Sequence, residues 1–463
     1  MTDSKKKSAD LGTAPIGRLM VRMAIPCIAA QLINALYNIV DRIYIGRLPD
    51  GGTSALAGLG VAFPIIMIIA AFAALIGMGG APLCSIRMGE KKEKEAEAIL
   101  GSCFTTLLIL SVSLTAIFFV TKAPLLRLFG ASDAIFPYAD NYLTIYLCGT
   151  AFVQLSLGMN PFITAQGFAS VSMKTVVIGA ILNIILDPVF IFLLDMGVEG
   201  AALATVISQG VSAVWVLCFL FGKKTKLHIR RDNFLPRLKY LLPALALGVS
   251  PFIMQTTESL IQIAFTSGMQ KYGDDTYVSA VSVMISCMSV LLMPLMGLAQ
   301  GAQPIISYNF GAKNFDRVRK CCRLMTVIMA VYCVSVWAFV EIWPTALMRI
   351  FSSDTALLEI GAHGLRIFMF GIGIICLQVS CQHAFLALGQ AKISMVLALL
   401  RKVILLIPLA LLLPWLSADL DILPLKGTDA LYLAEPIADT CAAVVTFLAF
   451  RARTKKLLTP SAD

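Results

Sequence analysis

The sequence predicts an all-α integral membrane protein, with about twelve transmembrane helices in two six-helix lobes. Three observations carry that reading: long apolar runs between short charged clusters, a one-sided distribution of Lys and Arg, and an internal repeat of six helices. Of the 463 residues, 58% are hydrophobic and 14% charged, whereas soluble domains carry about a quarter charged residues. A bilayer core needs roughly 20 apolar residues per helix. Runs of that length predict spans at 20–46, 54–80, 97–120, 139–162, 174–194, 200–221, 241–268, 277–301, 321–343, 362–388, 394–416 and 430–450. The ten-residue alternation of a membrane β-barrel is absent, which leaves helices as the structure that satisfies every backbone group in lipid.

The net charge of +10 has the form of a topology signal. With the N-terminus placed in the cytoplasm, 27 of the 37 Lys and Arg fall on the cytoplasmic side. Seven fall on the other side, and Arg366, Arg401 and Lys402 lie inside helices. This bias follows the positive-inside rule with both termini cytoplasmic and an even number of spans. It makes the lipid bilayer, not nucleic acid, the partner of the basic runs. The polar residues 1–18 hold no short apolar core of a cleavable signal. The twelve cysteines are scattered without a CxxC pair and read as apolar packing residues.

Residues 79–173 align without a gap on 301–395, with 21 identities in 95 pairs. Gly79, Pro82, Ser85, Gly89 and Lys91 match Gly301, Pro304, Ser307, Gly311 and Lys313. Leu125, Arg127 and Phe129 match Leu347, Arg349 and Phe351. Ala165, Gly167, Ala169, Ser172 and Met173 match Ala387, Gly389, Ala391, Ser394 and Met395. An even-numbered repeat enters the membrane twice in the same sense, so a pseudo-two-fold along the membrane normal should relate the halves around a central cavity, a transporter architecture. The expected organisation is an N-terminal tail at 1–18, an N-lobe at 19–222, a basic cytoplasmic linker at 223–239, a C-lobe at 240–451 and a C-terminal tail at 452–463. A repeat alone still admits a channel or a membrane enzyme.

Polar residues inside the spans locate the candidate chemistry. In the first span Gln31, Asn34, Asn38 and Asp41 share an arc of about 80°. An Asp at the bilayer centre costs about 2.5–3.5 kcal/mol on insertion scales, so such a residue marks function by default. The bland alternative is an interfacial pair of Asp41 with Arg42. Span 7 repeats the stripe with Gln255, Glu258 and Gln262, for which a polar helix contact is the alternative. Span 5 carries Asn183 and Asp187 one turn apart, followed by Pro188, where the helix should bend; the bland alternative is that Asp187 belongs to the outer end of the helix, before Asp195. Thr205 of span 6 adds a hydroxyl to that cluster. Ser279, Ser282, Ser286 and Ser289 on one face of span 8 read as close-packing residues. In span 11, Lys402 is expected to snorkel, and Arg401 to be paired or to line the cavity. The 20 methionines suit an adaptable apolar cavity.

Taken together, the run Pro26, Asn34–Asp41, the turns Gly89-Glu90-Lys91-Lys92 and Phe310-Gly311-Ala312-Lys313, and Asn183, Asp187, Pro188 and Gly200-Ala201-Ala202 resemble the multidrug and toxic compound extrusion (MATE) family, over about residues 15–453. The resemblance is to its bacterial MepA-like or archaeal, DinF-like branches. It implies a monomeric, multi-pass protein of a prokaryotic plasma membrane. Such a protein exports organic cations or amphipathic small molecules against a proton or sodium gradient by alternating access, without an enzymatic reaction or a cofactor beyond the coupling ion. It assigns ion coupling to Asp41, Tyr142, Asn183, Asp187 and Thr205, with Asp41, Asn183, Asp187 and Thr205 as the sodium ligands if sodium is the ion. Gln31, Asn34, Asn38, Gln255, Glu258, Gln262 and Arg401 are then expected to line the substrate cavity. Span 10 lacks the mid-span aspartate of the NorM-like branch, which favours coupling in the N-lobe. On this reading Asp41 and Asp187 share a desolvated site, and protonation or sodium binding relieves their repulsion. A lipid-linked oligosaccharide flippase of the same superfamily is the nearest alternative, kept open by Arg401. An intramembrane enzyme is the alternative of another class, against which stands the lack of a nucleophile–base pair or an HExxH helix.

Overall fold

The computed structural model describes residues 10–48, 52–350, 354–420 and 422–459. Residues 1–9 and 460–463 of the expected tails, and Phe351 of the repeat, lie outside the described residues. Among those described, ten single helices are long and apolar enough to cross a membrane: Ile16–Gly46, Gly52–Gly89, Glu93–Leu128, Ala169–Leu193, Gly197–Phe221, Leu238–Tyr272, Asp275–Gly311, Phe315–Ile342, Ala391–Asp419 and Gly427–Leu457. Two bent pairs complete twelve: Phe136–Cys148 with Thr150–Ala165, bent by 61°, and Leu357–Phe368 with Ile372–Ala387, bent by 49°. Counted in chain order, the bent pairs are spans 4 and 10. Every predicted span has its helix, and most run past the apolar run by a turn or more.

The bent spans occupy equivalent places in the two halves, and the repeat explains them. Gly149 breaks span 4 and its repeat mate Gly371 stands at the break of span 10. Ser85 Oγ donates to the Ala165 carbonyl at 2.8 Å, and Ser307 Oγ to the Ala387 carbonyl, also at 2.8 Å. Lys91 (φ 62°) and Lys313 (φ 59°) both adopt the left-handed conformation in the turn after spans 2 and 8. The identities therefore preserve turns and cross-span hydrogen bonds.

Apolar packing is largely segregated by half. Two buried clusters draw on residues 45–244, and a third draws mainly on residues 261–458, joined by the start of span 1. Where the halves meet, span 2 lies along span 7 and span 1 along span 8. Glycine permits the approach. A Cβ on Gly248 would stand 1.7 Å from the Leu75 carbonyl oxygen, and one on Gly79 2.1 Å from that of Ala244. Beside the two Lys turns, a Cβ on Gly89 would meet the Tyr308 oxygen at 2.0 Å and one on Gly311 the Ile86 oxygen at 2.0 Å. These obstacles are main-chain atoms, so the helices themselves would have to separate. Gly248→Ala is expected to cost about 1–3 kcal/mol by overpacking, read as a lower denaturation midpoint of the purified protein. An unchanged midpoint would show the seam to be looser than this geometry.

The segment before span 1 lies across the same end of the molecule. Asn309 Nδ2 donates to the Leu11 carbonyl at 2.8 Å, and Arg317 Nη2 to the Ala14 carbonyl at 2.7 Å. The 223–239 connection is likewise held down: the side-chain oxygen Oε1 of Gln166 accepts from Thr225 Oγ1, Lys226 N and Leu227 N, and Arg230 pairs with Glu97 at 2.7 Å.

Candidate functional site

In the first half, spans 1, 4, 5 and 6 converge on a buried polar cluster. Asp41, Asn183 and Asp187 are 8%, 2% and 0% exposed. The α-helical part of span 5 ends at Pro188, and a π-helical turn, Val189–Leu193, follows. The bend predicted from Pro188 is thus a change of helix type directly after Asp187. Asn183 Nδ2 donates to Asp187 Oδ1 at 3.1 Å and lies 3.4 Å from Thr205 Oγ1. The carboxyl groups of Asp41 and Asp187 lie within hydrogen-bonding reach of each other. Arg42, the suggested interfacial partner of Asp41, stacks over the Phe63 ring at 5.2 Å and acts on Asp41 through its charge, with no direct ion pair between them among the described residues.

Tyr142 is buried near Asp41 and Thr205 and stacks on Tyr146, with ring centroids 6.3 Å apart. Tyr37, one turn before Asp41, lies close to both carboxylates. Asp41 Oδ1, Asn183 Oδ1 and Asp187 Oδ2 are buried and have no hydrogen-bond partner among the described residues. Such oxygens carry a desolvation penalty. Chemically the arrangement suits a proton shared between the carboxyl groups or a small cation. Asn34, Tyr37, Asn183 and Thr205 also border a cavity of about 40 Å³ that continues along Ser156, Ser208 and Ser212, room enough for water.

The structure brings together all five residues expected to couple the ion. Tyr37 and Tyr146 were missed as site residues, because an aromatic in an apolar helix reads as packing. The signal available for Tyr37 was its place on the Asp41 side of the helix, one turn away.

The expected cavity residues divide. Gln31, Asn34 and Gln255 border a cavity of about 240 Å³ where the halves meet, and Gln31 Nε2 donates to Gln300 Oε1 at 3.0 Å. Glu258 and Arg401 border a second cavity of about 220 Å³, lined by the other half and by Gln31, which reaches both. Asn38 and Gln262 border neither. Both are exposed, and the Asn38 amide is spent on the Asn34 carbonyl of its own helix at 2.7 Å.

Lys402 does not snorkel. It is 6% exposed, and its Nζ donates to Glu258 Oε2 at 2.8 Å. Arg401 is paired, its Nε donating to Asp439 Oδ1 at 2.6 Å and its Nη2 reaching Glu435 Oε1 at 3.4 Å. The acidic pair in span 12 went unremarked in the sequence, although Glu435 and Asp439 stand one turn apart inside an apolar run. A π-helical stretch, Leu400–Leu406, carries both basic residues; its wider turn reduces the angle between consecutive side chains, and both are buried here. On span 8 the serines do not pack helices closely as expected. Ser279, Ser286 and Ser289 are exposed, and each hydroxyl donates to the carbonyl one turn back.

The family model described as MatE matches residues 26–189 and again 251–412, once in each half. An FAD transporter of Shewanella oneidensis is 26% identical over 431 residues, 92% of either chain. The multidrug export protein MepA of Staphylococcus saprophyticus is 23% identical over 432 residues, 93% of either chain. Among solved structures, one described as the outward-facing conformation of a multidrug resistance MATE family transporter of the MOP superfamily superposes with a TM-score of 0.88. It is 24% identical, and the match covers 96% of this chain and 98% of that one. A crystal structure of MATE in complex with MaD3S gives a TM-score of 0.89 at 24% identity, covering 97% of this chain and 99% of that one. At that identity the likeness establishes the fold.

Proposed function

The chain belongs to the MatE family, and we propose that it is a secondary active exporter of organic cations or cationic amphipathic molecules, driven by an inward proton or sodium gradient. The observation that carries the proposal is the Asp41–Asp187 pair: two buried carboxyl groups within reach of each other, with oxygens that lack hydrogen-bond partners among the described residues. Two carboxylates in one desolvated site repel, and a proton or sodium ion relieves the repulsion. Binding of that ion then favours one arrangement of span 1, and cargo favours the other. A ligand that bound both states equally would drive nothing.

Orientation follows from the basic residues. With the Lys- and Arg-rich end in the cytoplasm, the seam at Gly79, Gly89, Gly248 and Gly311 closes the cytoplasmic side, and this conformer faces outward. Cation export is further supported by the charge around the second cavity. Glu258, Glu435 and Asp439 outnumber Arg401 and Lys402, and both basic side chains are already paired. An anionic lipid-linked sugar would find no free cation among these five. A second cargo class, planar heterocycles of the flavin kind, is favoured by the FAD transporter relative and by the amide lining of the cavity between the halves, where Gln303 Nε2 and Asn160 Oδ1 lack partners among the described residues.

The test is efflux from vesicles holding the purified protein, with proton and sodium gradients imposed separately and ethidium or riboflavin as cargo. Uphill efflux under one gradient is expected, and its ion names the coupling ion. Cargo that only equilibrates down its own gradient under both conditions would overturn the antiport reading.

A further inference from the structure

We propose that Lys402 is a built-in counter-cation that occupies the cargo carboxylate, Glu258, and thereby sets which cations this protein accepts. The inference rests on the cation-export reading above and deepens it. It starts from an asymmetry within one ion pair. Both side chains border the cavity, but the Glu258 side chain is 60% exposed and the Lys402 side chain only 8%. Nζ and Oε2 are 2.8 Å apart. A cation entering the cavity therefore meets a carboxylate that is accessible but already paired.

Lys402 also has somewhere to go. Glu435 lies within electrostatic reach of both Lys402 and Glu258, and Arg401 divides its guanidinium between Glu435 and Asp439. Among these five groups carboxylates exceed basic groups by one, so a single added positive charge balances the set. A lysine ammonium is a compact charge on a flexible stem. It can move from Glu258 toward Glu435 as cargo arrives, without leaving any group of the network uncompensated. Arg401 is held by two carboxylates and stays in place.

The consequence is selectivity by competition. A small hydrophilic cation offers Glu258 little that the tethered ammonium does not, and it must also give up its water. A lipophilic cation buries apolar surface against Met288, Met293, Met296 and Phe265, which line the same cavity, and that burial supplies the surplus needed to displace Lys402.

The test is equilibrium binding of ethidium to the full-length protein in nanodiscs, with no gradient, and competition by tetramethylammonium. For the wild type, tetramethylammonium in 100-fold excess over ethidium is expected to leave ethidium bound. Lys402→Met and Lys402→Gln should each bind ethidium at least tenfold tighter and become open to tetramethylammonium competition, while Lys402→Arg should keep the wild-type pattern. The glutamine variant retains a hydrogen-bond donor toward Glu258, so either neutral variant that elutes as a folded protein decides the question. Effective competition by tetramethylammonium in the wild type, or neutral variants that bind ethidium no tighter, would overturn the role of Lys402. Neither result touches the export reading, which stands or falls on gradient-driven efflux by the wild type.

Discussion

Asp41→Asn is expected to abolish gradient-driven export, with uphill efflux reduced at least tenfold, while the purified protein denatures at the same temperature as the wild type or higher. The two halves of this expectation have one origin. Asn keeps the volume and one oxygen of Asp, so spans 1 and 5 can pack as before. It also brings an N–H donor within reach of Asp187, whose Oδ2 lacks a partner among the described residues. Hydrogen bonds to charged groups contribute about 1.5–3 kcal/mol, so the substitution exchanges a repulsion for an attraction. What it removes is the capacity to bind and release the coupling ion at this position. Efflux under an imposed gradient, paired with a thermal denaturation curve, reads both. Undiminished uphill export by the variant would dismiss Asp41 as the coupling group, and loss of export accompanied by a much lower midpoint would recast it as a structural residue.

Asp41 and Asp187 were legible in the sequence because each stands beside further polar residues on its span, Asp41 with Asn34 and Asn38 and Asp187 with Asn183 before Pro188, whereas Glu435 and Asp439, carboxylates in a span without such a stripe, were passed over. The twelve spans were legible for a similar reason, since apolar length is a local property. The repeat located the turns, as the paired left-handed Lys91 and Lys313 show. It did not reveal why Gly79 and Gly89 recur, because their partners, Gly248 and Tyr308, lie in the other half of the chain. Tyr37 had only its one-turn spacing from Asp41 to mark it, and Tyr146 had no mark at all: a tyrosine in an apolar helix is equally at home in a core. The misreading of Lys402 has a geometric cause. At 100° per residue two consecutive basic residues diverge, and one is expected to reach for the interface. The π-helical stretch at Leu400–Leu406 narrows that divergence, and nothing in residue type announces it.

Arg401 should behave in the opposite way to Asp41, and the contrast separates a structural charge from a working one. Arg401 is 5% exposed, Glu435 4% and Asp439 2%, so Arg401→Met would leave two carboxylates buried without their cation. Breaking a buried ion pair from one side costs about 3–5 kcal/mol. A variant with much reduced yield and a strongly lowered denaturation midpoint is expected, whatever the gradient. Taking out the whole set should be far milder. The triple variant Arg401→Met, Glu435→Met, Asp439→Leu removes the uncompensated charges along with the guanidinium, and replacement of buried ion pairs by well-packed hydrophobic groups of similar volume is often neutral or stabilising. Recovery of the midpoint toward the wild type in the triple variant is therefore the decisive measurement. If Arg401→Met alone were as stable as the wild type, the two carboxylates would have to hold protons of their own, and the surplus of negative charge that invites a cationic cargo to Glu258 would vanish with them.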